Sequence, residues 1–208
     1  TLNVLRRHPE EFAVAALVTG SNAERLAAQV AEWQPAFSAV VNGSDGDPLI
    51  EAATRPDVDI VVNAVVGAAG LEATLAALEA GKRVALANKE SLVMAGPLVA
   101  AAARRGGGEL VPVDSEHSAV LQCIASHEAA ATAITLTASG GPFRTWDAAA
   151  IADAGCEQAL RHPTWQMGSK ITIDSATLAN KALEVIEAHA LFGLDYDHIG
   201  VVVHPQSI

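Results

Sequence analysis

Short β-branched runs alternate with amphipathic stretches over about the first half of the chain, and this alternation limits the fold more than any other feature. Parallel strands cannot be joined by a tight turn and need a crossover, usually a helix. A chain that keeps returning to a strand after a helix therefore builds βαβ units around a parallel sheet. Thr1 to His8 reads as the tail of a helix. Strands are expected at Phe12 to Val18, Ala36 to Val41, Asp59 to Val66, Arg83 to Ala87 and Glu109 to Val113. Helices are expected between them at Ala23 to Trp33, Leu71 to Glu79 and Pro97 to Arg105, with Asn42 to Pro48 a turn-rich loop. The pattern predicts a doubly wound, Rossmann-type α/β sheet over residues 1–113.

After Val113 the rhythm changes. Ser115 to Ser126 suits a helix, Ala133 to Thr137 a strand, and Ser139-Gly140-Gly141-Pro142 a loop that cannot continue that strand. Residues 155–169 carry Gly155, Pro163 and Gly168 with little periodicity. Ile171 to Ile173 and Ile199 to Val203 look like strands flanking a helix from about Ala176 to Phe192. Residues 114–208 are thus expected to form part of a second, α+β domain. The length of 208 residues suits one large domain or two small ones.

Half of the residues are hydrophobic, 18% are charged and 4% are aromatic, which excludes disorder and fits α/β layers filled by Ala, Val, Leu and Ile. A formal charge of -11 repels phosphodiester backbones and anionic lipids, so neither nucleic acid nor membrane is an expected partner. The best apolar stretch is interrupted by Asn63, Glu72, Glu79 and Lys82, short of the roughly 18–20 residues needed to cross a bilayer. Cys123 and Cys156 have neither C-x-x-C spacing nor a His-rich neighbourhood, and both read as small buried hydrophobes.

A doubly wound sheet binds its ligand at the carboxyl ends of the strands. There the chain places Gly20-Ser21-Asn22, Asn63 to Gly67, Asn88-Lys89-Glu90 and Asp114 to His117. No G-x-G-x-x-G occurs. Gly20, Ser21 and Asn22 offer donors without a carboxylate, which favours the extra phosphate of NADP over the ribose hydroxyls of NAD; an ordinary turn is the plain alternative. Asp114 and Glu116 leave one face of an extended chain, a hard-oxygen pair suited to Mg²⁺ or Mn²⁺, but they equally suit the cap and first turn of a helix. Ser139-Gly140-Gly141 can offer N–H groups to an anion or be a plain loop. Asp174 or Ser175 can cap the following helix. On that helix Leu178, Ala182, Val185 and His189 share one side, opposite Asn180 and Glu184 with Lys181 beside them, which a solvated polar face also explains.

Taken together, ANKESLVMAG (87–96), PVDSEHSA (112–119), LTASGGPFR (136–144), HPTWQMG and SKITIDSATLANKALEVIEA (162–188), and HPQSI (204–208) resemble the 1-deoxy-D-xylulose 5-phosphate reductoisomerase family over essentially the whole chain. The resemblance implies a cytoplasmic homodimer that rearranges a sugar phosphate and reduces it with NADPH and Mg²⁺ or Mn²⁺. It implies Asp114, Glu116 and Glu184 as metal ligands. Ser115 and Lys89 would meet substrate oxygens, and Ser139, Ser175, Asn180 and Lys181 the phosphate. His162, Trp165 and Met167 would belong to a lid, with Met167 and Gly168 near the nicotinamide. Gly20, Ser21, Asn22, Ala64, Asn88 and Glu90 would line the cofactor. A glycine-rich loop is expected ahead of Thr1, and further catalytic strands, a linker and a helical domain beyond Ile208. Thr164, Gln166, Ser169 and Ala182 depart from the family pattern, where Asn, Ser, Arg and Gly are more usual. The competing readings are another Rossmann dehydrogenase, a metal-dependent sugar-phosphate isomerase or aldolase without nucleotide, and a fragment inactive on its own.

Overall fold

The computed structural model describes residues 1–42, 47–125, 131–162, 166 and 168–204. By internal contacts they divide into two units, Thr1–Ser91 with Leu98–Val111 and Leu92–Pro97 with Pro112–Ile208. In the first, α1 (Leu2–Leu5), β1 (Ala16–Thr19), α2 (Ala23–Trp33), β2 (Phe37–Val40), α3 (Pro48–Thr54) and β3 (Ile60–Asn63) follow in order. A 3-10 turn at Gly67–Gly70, α4 (Leu71–Glu79), β4 (Arg83–Leu86), α5 (Lys89–Gly106) and β5 (Glu109–Pro112) complete the alternation. β1 pairs parallel to β2 from Ala16↔Phe37 to Thr19↔Val40, and β3 parallel to β4 from Ile60↔Arg83 to Asn63↔Leu86. β5 lies on the other edge of β4, so the ladder is hydrogen-bonded as a pair and a triplet. The expected α/β architecture with parallel strands is present, with each strand shorter than its hydrophobic run.

Local chemistry sets the helix starts. Asn22 Oδ1 accepts from Arg25 N and caps α2. Helix α3 starts on Pro48, the last residue of the expected loop: Asp47 Oδ1 accepts from the backbone N–H groups of Leu49 and Ile50, and Pro48 occupies the first turn, where a missing N–H costs nothing. Positions 43–46 of that expected loop lie outside the described residues. Helix α5 begins at Lys89, not Pro97, because Asn88 caps it; a non-helical Ala95 then marks a kink two residues before Pro97, which lacks a donor. Ala77, Leu78, Val84, Val99 and Ala102 are fully buried around these strands. At Gly106 a Cβ would come within 2.2 Å of the Leu78 carbonyl, so only glycine lets the end of α5 approach α4 this closely.

The second unit contains α6 (Ser115–Ile124), β6 (Ile134–Ala138), α7 (Ala148–Ala152), α8 (Cys156–Ala159), α9 (Ser169–Ala176), α10 (Ala179–Phe192), a 3-10 turn at Tyr196–His198 and β7 (Ile199–Val203). β6 pairs parallel to β7 from Ile134↔Ile199 to Ala138↔Val203. Along β6, Ile134, Leu136 and Ala138 are buried while Thr135 and Thr137 are exposed, the period of two that one covered face demands. Ile134, Leu136, Ala188 and Ile199 form the core, with Val120, Val185, Phe192 and Leu194 packed against it.

Several expectations are corrected here. Ile171 to Ile173 is not a strand but part of α9: Thr172 and Ala176 are buried one turn apart, and the Thr172 hydroxyl donates to the Gly168 carbonyl, so helical burial overrides β-branched propensity. Asp174 and Ser175 consequently lie inside α9 and cap nothing. The chain turns at Leu178, whose φ of 60° is left-handed, and α10 starts without a side-chain cap. The buried residues of α10 are Lys181, Glu184, Glu187 and Ala188; of the expected apolar side, Val185 packs against the core while Leu178 and Ala182 are exposed, so the burial cuts across the expected polarity of the helix. Cys123 and Cys156 are free thiols at exposed positions rather than core fillers.

Candidate active site

Carboxylates converge where β5 ends and α6 begins. Pro112 is buried, and two residues on Asp114 occupies the N-cap position of α6 with no cap bond from its side chain. Asp114, Glu116 and, from α10, the 1% exposed Glu184 each bring an oxygen to within 4.8 Å of the others. Three hard oxygen donors so close together repel one another unless a cation shares them, and the set suits Mg²⁺ or Mn²⁺ rather than a thiophilic metal.

Two neighbours tune this cluster. The Lys181 ammonium donates to Glu116 Oε1 at 2.8 Å, to the Thr137 carbonyl at 2.6 Å and to Glu184 Oε2. The Ser115 hydroxyl donates to Glu116 Oε2 at 2.5 Å. Burial pushes the Glu116 carboxyl up, but the bonds from Lys181 and Ser115 outweigh it and hold the group down at about 2. Glu116 is therefore a carboxylate at any physiological pH, the form a cation needs. Asn180 Nδ2 donates to Glu184 Oε1, one helical turn away.

The residues expected to take the phosphate gather beside it. Ser139 follows β6 directly; its hydroxyl lies 3.0 Å from His162 Nε2 and accepts from Gly141 N–H at 3.3 Å. Gly140 and Gly141 both have positive φ, and a Cβ on Gly141 would come within 2.4 Å of the Ser175 carbonyl, so the loop lies flat on the last turn of α9. Ser139, His162, Ser175 and, through the Thr137 carbonyl, Lys181 thus surround one end of β6. Burial, and then the charge of Arg144, lower the pKa of His162 and favour its neutral ring. Trp165 and Met167 lie outside the described residues, and Gly168 is exposed at the N-cap of α9.

In the first unit, Gly20, Ser21 and Asn22 are exposed at the carboxyl end of β1, with no carboxylate among them. Part of Asn22 is committed to capping α2. Ala64 is exposed after β3, in a segment clamped from both sides. Asn63 Nδ2 donates to the Gly70 carbonyl and to the Thr74 hydroxyl, each at 2.8 Å, while its Oδ1 accepts from Val65 N–H. Asn88 Nδ2 donates to the carbonyls of Val65 and Gly67 and to Glu90, and its Oδ1 accepts from Ser91. Asn88 therefore shapes the strand-end loop with its own side chain. Lys89 is 8% exposed at the first turn of α5.

Four polar residues here had no role in the sequence reading, although Asn63 and His117 stand at the strand ends it singled out. Asn63 and Thr74 were legible only as a strand end and a helix position. His117, fully buried, and Glu187, 4% exposed, form with Asp114 a second close group of ligating atoms. Their spacing was the available signal: His117 stands three residues after Asp114, and Glu187 three after Glu184, so each shares a helix face with a site residue.

The chain matches the family model described as 1-deoxy-D-xylulose 5-phosphate reductoisomerase over residues 1–47 and 40–96, and the C-terminal domain model of the same description over residues 110–192. It is 50% identical over 228 aligned residues to a protein of that name from Chlorobium phaeovibrioides, covering 100% of this chain and 59% of the relative. A Geobacillus kaustophilus protein of the same name is likewise 50% identical, with the same coverage. A crystal structure of DOX-P reductoisomerase in complex with NADPH, fosmidomycin and magnesium superposes with a TM-score of 0.92 at 41% identity, over 100% of this chain and 58% of that one. The Zymomonas mobilis enzyme in complex with NADPH gives a TM-score of 0.83 at 39% identity, with the same coverage. The chain thus spans under two thirds of the length of these relatives. Among the described residues, no helix is long and apolar enough to cross a membrane.

Proposed function

The chain belongs to the 1-deoxy-D-xylulose 5-phosphate reductoisomerase family, and from that premise we propose that the intact protein converts 1-deoxy-D-xylulose 5-phosphate to 2-C-methyl-D-erythritol 4-phosphate with NADPH and Mg²⁺ or Mn²⁺. The observation that carries the reading is the convergence of Asp114, Glu116 and Glu184 oxygens within 4.8 Å. A divalent cation in that setting supplies Lewis-acid polarisation of the substrate's carbonyl and hydroxyl oxygens, and NADPH supplies the hydride.

The chain's own residues do the rest by binding and orientation. Asp114, Glu116 and Glu184 act as the oxygen donors, and Lys181 and Ser115 hold Glu116 in its carboxylate form. Ser115 and Lys89 meet substrate oxygens around the bond that breaks and reforms. Ser139 and Ser175, with His162, Asn180 and Lys181, take the phosphate, so that binding energy far from the reacting carbons fixes their position. Lys181 serves both ends of this arrangement, because its ammonium bonds Glu116 and the strand that delivers Ser139. Gly20, Ser21, Asn22, Ala64, Asn88, Glu90, Met167 and Gly168 bind the cofactor, with the carboxylate-free end of β1 facing the 2′-phosphate of NADPH. The reading includes the cytoplasmic, homodimeric enzyme that the resemblance implies.

Glu184→Gln in the intact protein tests it. Turnover should collapse and the metal requirement shift strongly while NADPH affinity stays near the parent's. An unchanged metal titration removes Glu184 from the site.

A further inference from the structure

His117 is the most deeply buried ionisable side chain beside the carboxylate cluster, at 0% exposure, yet it offers nothing to a substrate. Its Nε2 lies 2.9 Å from the Glu184 backbone carbonyl. A carbonyl can only accept, so Nε2 carries the hydrogen and donates. The opposite ring nitrogen is 4.0 Å from Asp114 Oδ1 and 4.0 Å from Glu187 Oε2, too far for a hydrogen bond to either. The Phe192 ring packs at a tilt 6.4 Å from the imidazole centroid.

The placement of this single bond matters. Asp114 and Glu116 belong to the start of α6, and Glu184 to the middle of α10. The distance across the cluster is therefore set by how the two helices lie against each other. His117 stands on α6 one residue beyond Glu116, and its bond lands on the main chain of Glu184 itself. No other described side-chain bond from α6 reaches the main chain of α10.

We propose that His117 is a positioning residue for the divalent cation: its Nε2–H acts as a strut that holds the Glu184 main chain at the separation from Asp114 and Glu116 that lets one ion bind all three carboxylates. The inference rests on the metal-site reading above. It differs from a generic packing role because it assigns the effect to one nitrogen. Gln places its amide nitrogen close to where Nε2 stands, and Asn places its own near Nδ1, so the two amides separate the strut from the rest of the ring.

The experiment uses the intact protein with Mn²⁺ as probe, followed by electron paramagnetic resonance of the free ion, alongside NADPH titration by fluorescence. H117N should weaken Mn²⁺ binding by about 10- to 100-fold, the usual cost of losing a group that orients a metal ligand. H117Q should remain close to the parent, and both should bind NADPH like the parent. Equal Mn²⁺ affinity in H117N and parent overturns the strut, and so does equal weakening in H117N and H117Q. Glu184→Gln measured in parallel separates the two ideas: if it binds Mn²⁺ like the parent, the metal-site reading itself has failed. Should H117N not fold, the parent protein with ¹⁵N-labelled histidine still decides. An exchange-protected Nε2–H signal for His117 upholds the strut, and a hydrogen found only on Nδ1 overturns it.

Discussion

Glu116 gives the clearest consequence of single-residue chemistry. Its carboxyl is held at about 2 against an ordinary 4.5, so the folded state binds its proton less readily than the unfolded chain does. A group with a depressed pKa stabilises fully above the unfolded value and loses that contribution as pH falls through the folded one. With a chelator present, the stability difference between parent and Glu116→Gln should therefore be constant above about pH 4.5 and shrink between there and about 2, read by denaturant titration at each pH. A difference independent of pH would mean that Lys181 does not hold the carboxylate. At the cofactor end, Asp at Ser21 sets a negative charge against the 2′-phosphate and should weaken NADPH by about 1.5–3 kcal/mol, roughly 10- to 150-fold, while leaving NADH less affected. Equal losses for both nucleotides would remove Ser21 from that contact. Asp114 and Glu116 stand out in the sequence as a pair two apart that suits either a cation or a helix cap, and Glu184 joins them only through the resemblance to the family. The place of Lys181 was not, because a side chain long enough to serve phosphate or carboxylate is assigned by packing, which one-dimensional spacing does not contain. The cysteines failed for the opposite reason: residue type predicts burial on average, and Cys123 sits on the exposed side of α6.

At the scale of elements, Leu178 decides how the site is delivered. Without its left-handed turn, α9 would run on into α10, and Asn180, Lys181 and Glu184 would rotate away from β6. The sequence pattern concealed this turn, since a leucine between two helical stretches gives no breaker signal. The same pattern misread α9, where Ile171, Thr172 and Ile173 look β-branched and extended until the burial of Thr172 and Ala176 is known. By contrast, α2 and α4 coincide with their expected spans, Ala23–Trp33 and Leu71–Glu79, while the strands around them occupy only part of their hydrophobic runs. A left-handed φ disfavours β-branched side chains most and glycine least. Leu178, at 45% exposure, gives up only part of its burial on truncation. Leu178→Gly should thus change stability little, whereas Leu178→Val should lose about 1 kcal/mol or more in denaturant unfolding, the cost of forcing a Cβ-branched residue into that region. If Val is tolerated as well as Gly, position 178 is not left-handed in solution.

For the whole molecule, the division of labour follows from where each kind of chemistry lies along the chain. The exposed, carboxylate-free end of β1 belongs to Thr1–Ser91, and the carboxylate cluster to Pro112–Ile208. We propose that the first unit is the nucleotide-binding domain and the second the metal- and substrate-binding domain, with the boundary near residue 113 that the change of rhythm predicts. Hydrogen exchange in the intact protein resolves this by peptide, because a ligand slows opening most in the segments it contacts. NADPH alone should slow exchange in peptides covering residues 20–22, 64–67 and 88–90, where the Asn63 and Asn88 clamps already fix the loop. It should leave 114–118 and 180–187 nearly unchanged. Mn²⁺ alone should do the reverse, slowing the first turn of α6 and the Lys181 to Glu187 turns of α10, because tying Asp114, Glu116 and Glu184 to one ion couples the two helices. In H117N that Mn²⁺ effect should shift to higher metal concentration while the NADPH effect stays put. Protection by Mn²⁺ in the first unit but not the second would place the cation elsewhere and undo the assignment of the carboxylates. Protection of 114–118 and 180–187 by NADPH alone, or of 20–22, 64–67 and 88–90 by Mn²⁺ alone, would show that the two units do not divide the chemistry between them.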